Sequence, residues 1–105
     1  MKMIRAIIRP ERETDVLGRL EAAGFYAMTK TPVLGQGQQR GIQVGAVSYD
    51  ELAKLMLLIA VEDADCERVA TLIEEAARTG HPGDGKIFIQ AVREAFTVRT
   101  GNAGL

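Results

Sequence analysis

Apolar residues crowd the first positions of the chain on both parities: Met3, Ile4, Ala6, Ile7 and Ile8. An Ile-rich run stopped by Pro10 predicts a strand over 2–9. The pattern then changes period. Val16, Leu17, Leu20 and Ala23 recur at helical spacing and predict a helix over 11–23, with Gly24 in the place of a C-terminal glycine. Thr29, Thr31 and Val33 suit a pleated surface and predict a second strand over 25–34. KLMLLIAV, 54–61, reads as a third strand, and its stretch Leu55–Val61 is the longest apolar run in the chain. Cys66, Val69, Ile73 and Ala76 share one face of a second helix, which runs to about Thr79. Asp63 or Asp65 is expected to cap it, with Glu67 favoured by the dipole and Gly80 ending it. KIFIQ, 86–90, is a fourth strand, followed by a short extended tail over 96–100.

Between the second and third strands lies GQGQQRGIQVGAVSYDE, 35–51, which is rich in glycine and without helical period. Connections in compact domains usually run about 4–6 residues, so a segment this long points to function. The order β-α-β-loop-β-α-β predicts an α+β, ferredoxin-like βαββαβ fold, with an antiparallel sheet and both helices on one face. The strands at 2–9 and 54–61 are apolar on both parities, so the sheet face without helices should be apolar too. Such a face calls for burial by self-association, and an oligomer is expected.

Composition narrows the function. The chain has 105 residues, enough for a single domain over 1–105. With no Trp, its core must rest on aliphatic side chains. Thirteen basic against 14 acidic residues argue against general nucleic-acid binding. The single Cys66 excludes an internal disulfide and fits a reducing, cytoplasmic setting. The N-terminal apolar run, interrupted by Arg5, is too short for a signal peptide or a membrane span.

Candidate chemistry gathers in three places. Gly80-His-Pro-Gly-Asp-Gly-Lys86 has the glycine and lysine spacing of a P-loop, but Ile87 replaces the Ser or Thr. It also runs from helix to strand rather than from strand to helix. Either it is an ordinary turn, or its glycines let backbone N–H groups approach an oxyanion beside Lys86. Gly35-Gln-Gly37-Gln-Gln-Arg40 lacks the third glycine and the following helix of a dinucleotide fingerprint. Val98-Arg99-Thr100-Gly101 offers a guanidinium and a hydroxyl suited to phosphate, or a plain solvated charge. His81 has no partner at a readable spacing. Cys66 reads as a packed thiol, Asp63 and Asp65 as helix-capping groups, and Tyr49 as a loop residue open to modification or partner contact. No His, Cys and carboxylate grouping has metal-ligand spacing.

MKMIRAIIRPE, GQGQQRG, ARTGHPGDGKIFI and VRTG together resemble the PII nitrogen-regulatory signalling proteins over almost the whole chain. The resemblance implies a ferredoxin-like unit assembled as a homotrimer, a target-contacting T-loop (35–51), a phosphate-binding loop (80–86) and a C-terminal loop (97–105). It also implies ATP or ADP held between subunits, with Mg²⁺ and 2-oxoglutarate as effector, and no enzymatic activity. By this resemblance Gly83, Asp84, Gly85 and Lys86 cradle phosphate, and Arg99 and Thr100 reach it from the neighbouring subunit. Thr29 bonds adenine, Gly35 and Gly37 form the loop base, Gln39 ligates Mg²⁺ beside 2-oxoglutarate, and Lys54 pairs with the keto acid. Thr97 stands where many members of that family have a first arginine, which leaves one phosphate contact unmatched, and Gln38 stands where an arginine is common. The short loop GIQVGAVSYDEL looks like the nitrogenase-associated branch, whose members act in pairs of related subunits. A mixed hexamer with a sister subunit and a nitrogenase target are the corresponding expectations, with an ammonium transporter or glutamine synthetase as other targets. Uridylylation is not expected. A nucleotide phosphotransferase using His81 is the rival of a different class.

Overall fold

The computed structural model describes residues 1–36 and 51–105, together with the backbone of two short strands between them. In chain order the elements are β1 (Lys2–Ile8), a 3-10 turn (Pro10–Arg12), α1 (Glu13–Ala22), β2 (Thr29–Gly35), β3 (Ile42–Val44), β4 (Val47–Tyr49), β5 (Leu52–Val61), α2 (Asp63–Ala77) and β6 (Gly85–Ala91). The main sheet has the order β2-β5-β1-β6 and is antiparallel throughout, the ferredoxin-like arrangement expected from the sequence.

Strand register explains why the apolar runs have two parities. Ile4 lies opposite Ile59, Ala6 opposite Leu57, and Ile8 opposite Leu55; all six are buried. Val16 and Leu20 of α1 and Val69, Ile73 and Ala76 of α2 join them in one core, with Cys66 and Leu17 packed at its margin. The other parity forms the opposite face of the sheet. There Thr29, Leu58, Arg5 and Phe88 stand in one row across the four strands, and Thr31, Met56, Ile7 and Lys86 in the next. Phe88 is 45% exposed on that face, so a large apolar ring meets solvent in the isolated chain.

Several local expectations are corrected. The first helix opens as a 3-10 turn at Pro10, since proline lacks the N–H needed further inside a helix. β2 begins at Thr29 rather than at residue 25, because the chain first leaves α1 through a Schellman turn: Phe25 N–H donates to Leu20 C=O at 2.9 Å and Gly24 N–H to Glu21 C=O at 3.0 Å, with Gly24 at φ 91°. Glu62, not Asp63 or Asp65, is the N-cap of α2, and it makes no side-chain capping bond. Asp63 instead accepts from the chain N-terminus at 3.0 Å, which lowers its pKa together with Lys2. Gly80 does not end α2, which stops at Ala77 with Arg78 already extended. The span 35–51 carries a two-stranded antiparallel ladder, β3 with β4, where no regular structure was expected. The tail over 96–100 is not extended. Phe96 pairs with Ala103, and Thr97 C=O accepts from both Thr100 and Gly101 N–H, so the chain turns back on itself. Among the described residues, no helix is long and apolar enough to cross a membrane.

Candidate functional site

At one end of the sheet, the β2 exit, the β5 entry and the loop between α2 and β6 surround a cleft of about 820 Å³. Gly35 and Gln36 come from the end of β2, Leu52 and Lys54 from the start of β5, and residues 81–86 from the loop; Ile7 and Phe88 complete the lining. The root of the long 35–51 segment and the glycine-rich loop therefore share one cavity, although some thirty residues separate Lys54 from that loop in sequence.

The loop is held by its own Asp84 and, from outside, by Arg9 and Lys54. Asp84 turns its carboxylate back over the loop and accepts from Thr79 N–H at 2.8 Å, Gly80 N–H at 2.9 Å, the Thr79 hydroxyl, and Arg9 Nε at 3.0 Å. The Thr79 hydroxyl, helped by the Thr79 amide, Arg9 and the Gly80 amide, holds the Asp84 pKa far below the usual carboxylate range and outweighs the opposing effect of burial. Arg9 also donates through Nη2 to Pro82 C=O at 2.7 Å. Lys54 Nζ donates to Gly83 C=O. With the Pro82 and Gly83 carbonyls and the Asp84 carboxylate occupied in this way, and the Asp84 amide closing the turn over Pro82 and Gly83, the Gly83 amide is the loop donor left without an acceptor among the described residues. Gly83 has φ 96°. A free Gly83 amide beside exposed Lys86 gives this concavity the donor and the charge that suit an anion.

Gly85 fixes where this concavity ends. A Cβ there would sit 1.8 Å from Ile7 C=O, and its φ of 113° disfavours any side chain. Only glycine lets β6 begin so close to β1 and bring Lys86 opposite Ile7. At the other wall, a Cβ on Gly35 would come within 3.0 Å of Lys54 Cγ.

Of the residues singled out from sequence, Gly35, Lys54, Gly83, Asp84, Gly85 and Lys86 converge on the cleft. Thr29 sits at the start of β2 opposite Leu58, on the open sheet face, and does not line it. Arg99 and Thr100 belong to the turned-back C-terminal segment, exposed and outside the lining. Gly37 and Gln39 lie outside the described residues. His81 lines the cleft and is exposed; its N–H donates to Thr79 Oγ at 3.2 Å. Among the described residues, no cluster of three His, Cys, Asp or Glu could hold a metal ion. Two contributors escaped the sequence reading: Thr79 and Arg9. Arg9 is marked only by its place between an apolar strand and Pro10, and its partner lies 75 positions downstream.

The family model for nitrogen regulatory protein P-II matches residues 1–102. The chain belongs to that family. It is 55% identical over 105 residues, the full length of both chains, to a protein of Methanothermobacter marburgensis named nitrogen fixation nifHD region GlnB-like protein 1. It is 53% identical, again over both full lengths, to nitrogen fixation nifHD1 region GlnB-like protein 1 of Methanosarcina barkeri. Nitrogen regulatory protein P-II 2 of Methanothermobacter thermautotrophicus is 46% identical over 111 residues, covering 99% of this chain and 94% of that one. The family is one of nitrogen regulatory proteins.

Proposed function

We propose that this chain senses ATP or ADP together with 2-oxoglutarate, and reports them to a nitrogen-related protein target through residues 35–51. The observation that carries this reading is the shared cleft: the glycine loop with its unpaired Gly83 amide and Lys86 faces the root of the long segment. Gly83, Asp84 and Gly85 offer backbone, and Lys86 offers charge, to nucleotide phosphates. Asp84 offers no carboxylate to the ligand, since that group already serves the loop. The same commitment removes it as a ligand for Mg²⁺. In this reading Mg²⁺ is held by phosphate oxygens, by the keto acid and by Gln39, in keeping with its preference for oxygen donors. Lys54 has three N–H donors and uses one on Gly83, so it can also take a carboxylate of 2-oxoglutarate. A ligand there touches both the loop and the segment root, and shifts the segment only as far as its affinity differs between segment states.

Thr29, Arg99 and Thr100 fit this scheme as groups brought to the cleft by a second copy. The open sheet face supports such assembly: Met3, Ile7, Met56, Leu58 and Phe88 give it an apolar surface that association would cover. The assembly we propose is a homotrimer, alone or within a mixed hexamer with a sister subunit. The names of the nifHD-region relatives support a target in nitrogen fixation. Within this proposal nitrogenase is the first target, the setting is cytoplasmic and the chain does not catalyse.

Titration calorimetry of the full chain with ADP, and with ATP plus Mg²⁺ and 2-oxoglutarate, tests the reading. Lys86→Ala should weaken ADP binding by about tenfold or more, the scale of a lost charge-assisted phosphate contact. Unchanged affinity in that variant would refute the site.

A further inference from the structure

We propose that Arg9 and Asp84 form a positioning pair that sets the conformation of the phosphate-binding loop, with Arg9 acting on bound nucleotide through Asp84 rather than by touching it. The proposal rests on the nucleotide reading above and names a part of that site outside the cleft. Arg9 does not line the cleft, yet it reaches the loop at two points, Asp84 Oδ1 at 3.0 Å and Pro82 C=O at 2.7 Å. Asp84 passes the hold on to Thr79 and Gly80, and the Thr79 hydroxyl passes it to His81 N–H. Residues 79–82 and 84 are thus tied to one ion pair, directly or through one atom, and Lys54 ties residue 83.

The pair is well placed to be stiff. Both side chains are only 24% exposed, and the guanidinium fork engages a carboxylate and a carbonyl at once. Pro10 confines Arg9 to extended backbone, observed at φ −66° and ψ 135°, so the side chain leaves β1 from a fixed base. The loop donors face an anion only while the loop keeps its shape, and this shape, closed by Asp84 and Thr79, is anchored from the end of β1 by Arg9.

Calorimetry with ADP and with adenosine, and amide hydrogen exchange without nucleotide, test the proposal on the full chain. Arg9→Ala should weaken ADP binding about tenfold, while adenosine, which has no phosphate, loses less than twofold. Arg9→Lys should recover part of the loss, since an ammonium cannot span both acceptors as the fork does. In an Asp84→Ala background, Arg9→Ala should cost less than about twofold more, because residues acting as one unit are non-additive. Additive losses would show that Arg9 acts on the phosphate directly and would overturn the proposal. Without nucleotide, Thr79 and Gly80 amides should exchange faster in Arg9→Ala while β1 and β5 amides keep their protection; unchanged exchange at Thr79 and Gly80 would overturn it as well. A wild-type chain that binds no ADP would bring down the nucleotide reading and the proposal together. A wild-type chain that binds ADP no better than Arg9→Ala would bring down the proposal alone.

Discussion

The two helix-to-strand connections occupy equivalent places in the two βαβ halves and are built on opposite principles. After α1 the chain ends its helix with its own backbone: Gly24 at φ 91° and two reversed hydrogen bonds complete the turn. After α2 the C-cap residue Arg78 is already extended, and side chains complete the connection, those of Arg9 and Arg12 from far along the chain. Arg12 takes Ala76 C=O with both Nε and Nη2, and Arg9 and Asp84 shape the loop beyond it. A self-closing turn needs only a few neighbouring residues. A connection closed from a distance can hold a conformation that its own residues would not choose, with an amide left for a ligand. The first connection ends a helix; the second presents a surface.

Glycine substitution should break this comparison most visibly. Gly85→Ala drives a methyl into Ile7 C=O at a φ of 113°, which β6 can relieve only by leaving β1; the cost should be about 3 kcal/mol or more. Gly24→Ala meets nothing within 4 Å and loses only the left-handed preference, about 1 kcal/mol. Urea denaturation of both variants measures the gap. Equal losses would show that the β1–β6 approach is no tighter than an ordinary helix end.

Acid should also separate the two connections. The folded-state pKa of Asp84 lies below its ordinary value of 3.8. The stability it gives is therefore fully present above that value and is lost progressively as pH falls from there through the depressed one. Thr79 and Gly80 amide resonances, followed by NMR from neutral pH downward, should stay put through the ordinary carboxylate range and move only in stronger acid. Gly24 and Phe25, whose amide bonds involve no carboxylate, should stay put throughout. An Asp84 carboxyl titrating near 3.8 would mean that the carboxylate does not brace the loop.

The same contrast explains how much the sequence disclosed. Periodicity located all four long strands and both helices, because burial of Ile4, Leu57 or Ile73 is written in local spacing. Gly24 was legible as a helix end because its turn closes within six residues. Gly80 was misread as one because α2 is finished by Arg12, whose bond to Ala76 spans 64 positions. Asp63 looked like a cap, but its carboxylate goes to the N-terminus, 62 positions away. At the cleft, the glycines and Lys86 stood out as a motif, whereas Arg9 and Thr79 did not. The value of Arg9 depends on β1 lying beside β6, a matter of topology rather than of spacing, and Thr79, five positions from Asp84, carries no periodicity to mark it.

The smallest expected effects set two arginines against each other. Arg12 and Arg19 both reach toward α2 from the α1 side. Arg12 donates twice to Ala76 C=O, at 3.0 and 2.7 Å, and pairs with Asp15 at 2.8 Å, with its side chain 30% exposed. Arg12→Ala strands a carbonyl at the end of α2 and should cost about 1–2 kcal/mol, with faster exchange confined to the last turn of that helix. Arg19 meets Glu75 at 3.9 Å with both side chains 54% exposed, where water screens the pair. Arg19→Ala should therefore change stability by no more than about 0.5 kcal/mol in the same denaturation assay. If the two variants proved equal, helix-to-helix attraction would explain both, and the finishing of α2 from outside would lose its support. If Arg12 alone matters, the second connection is held by hydrogen bonding to its unpaired carbonyl rather than by charge across the helices.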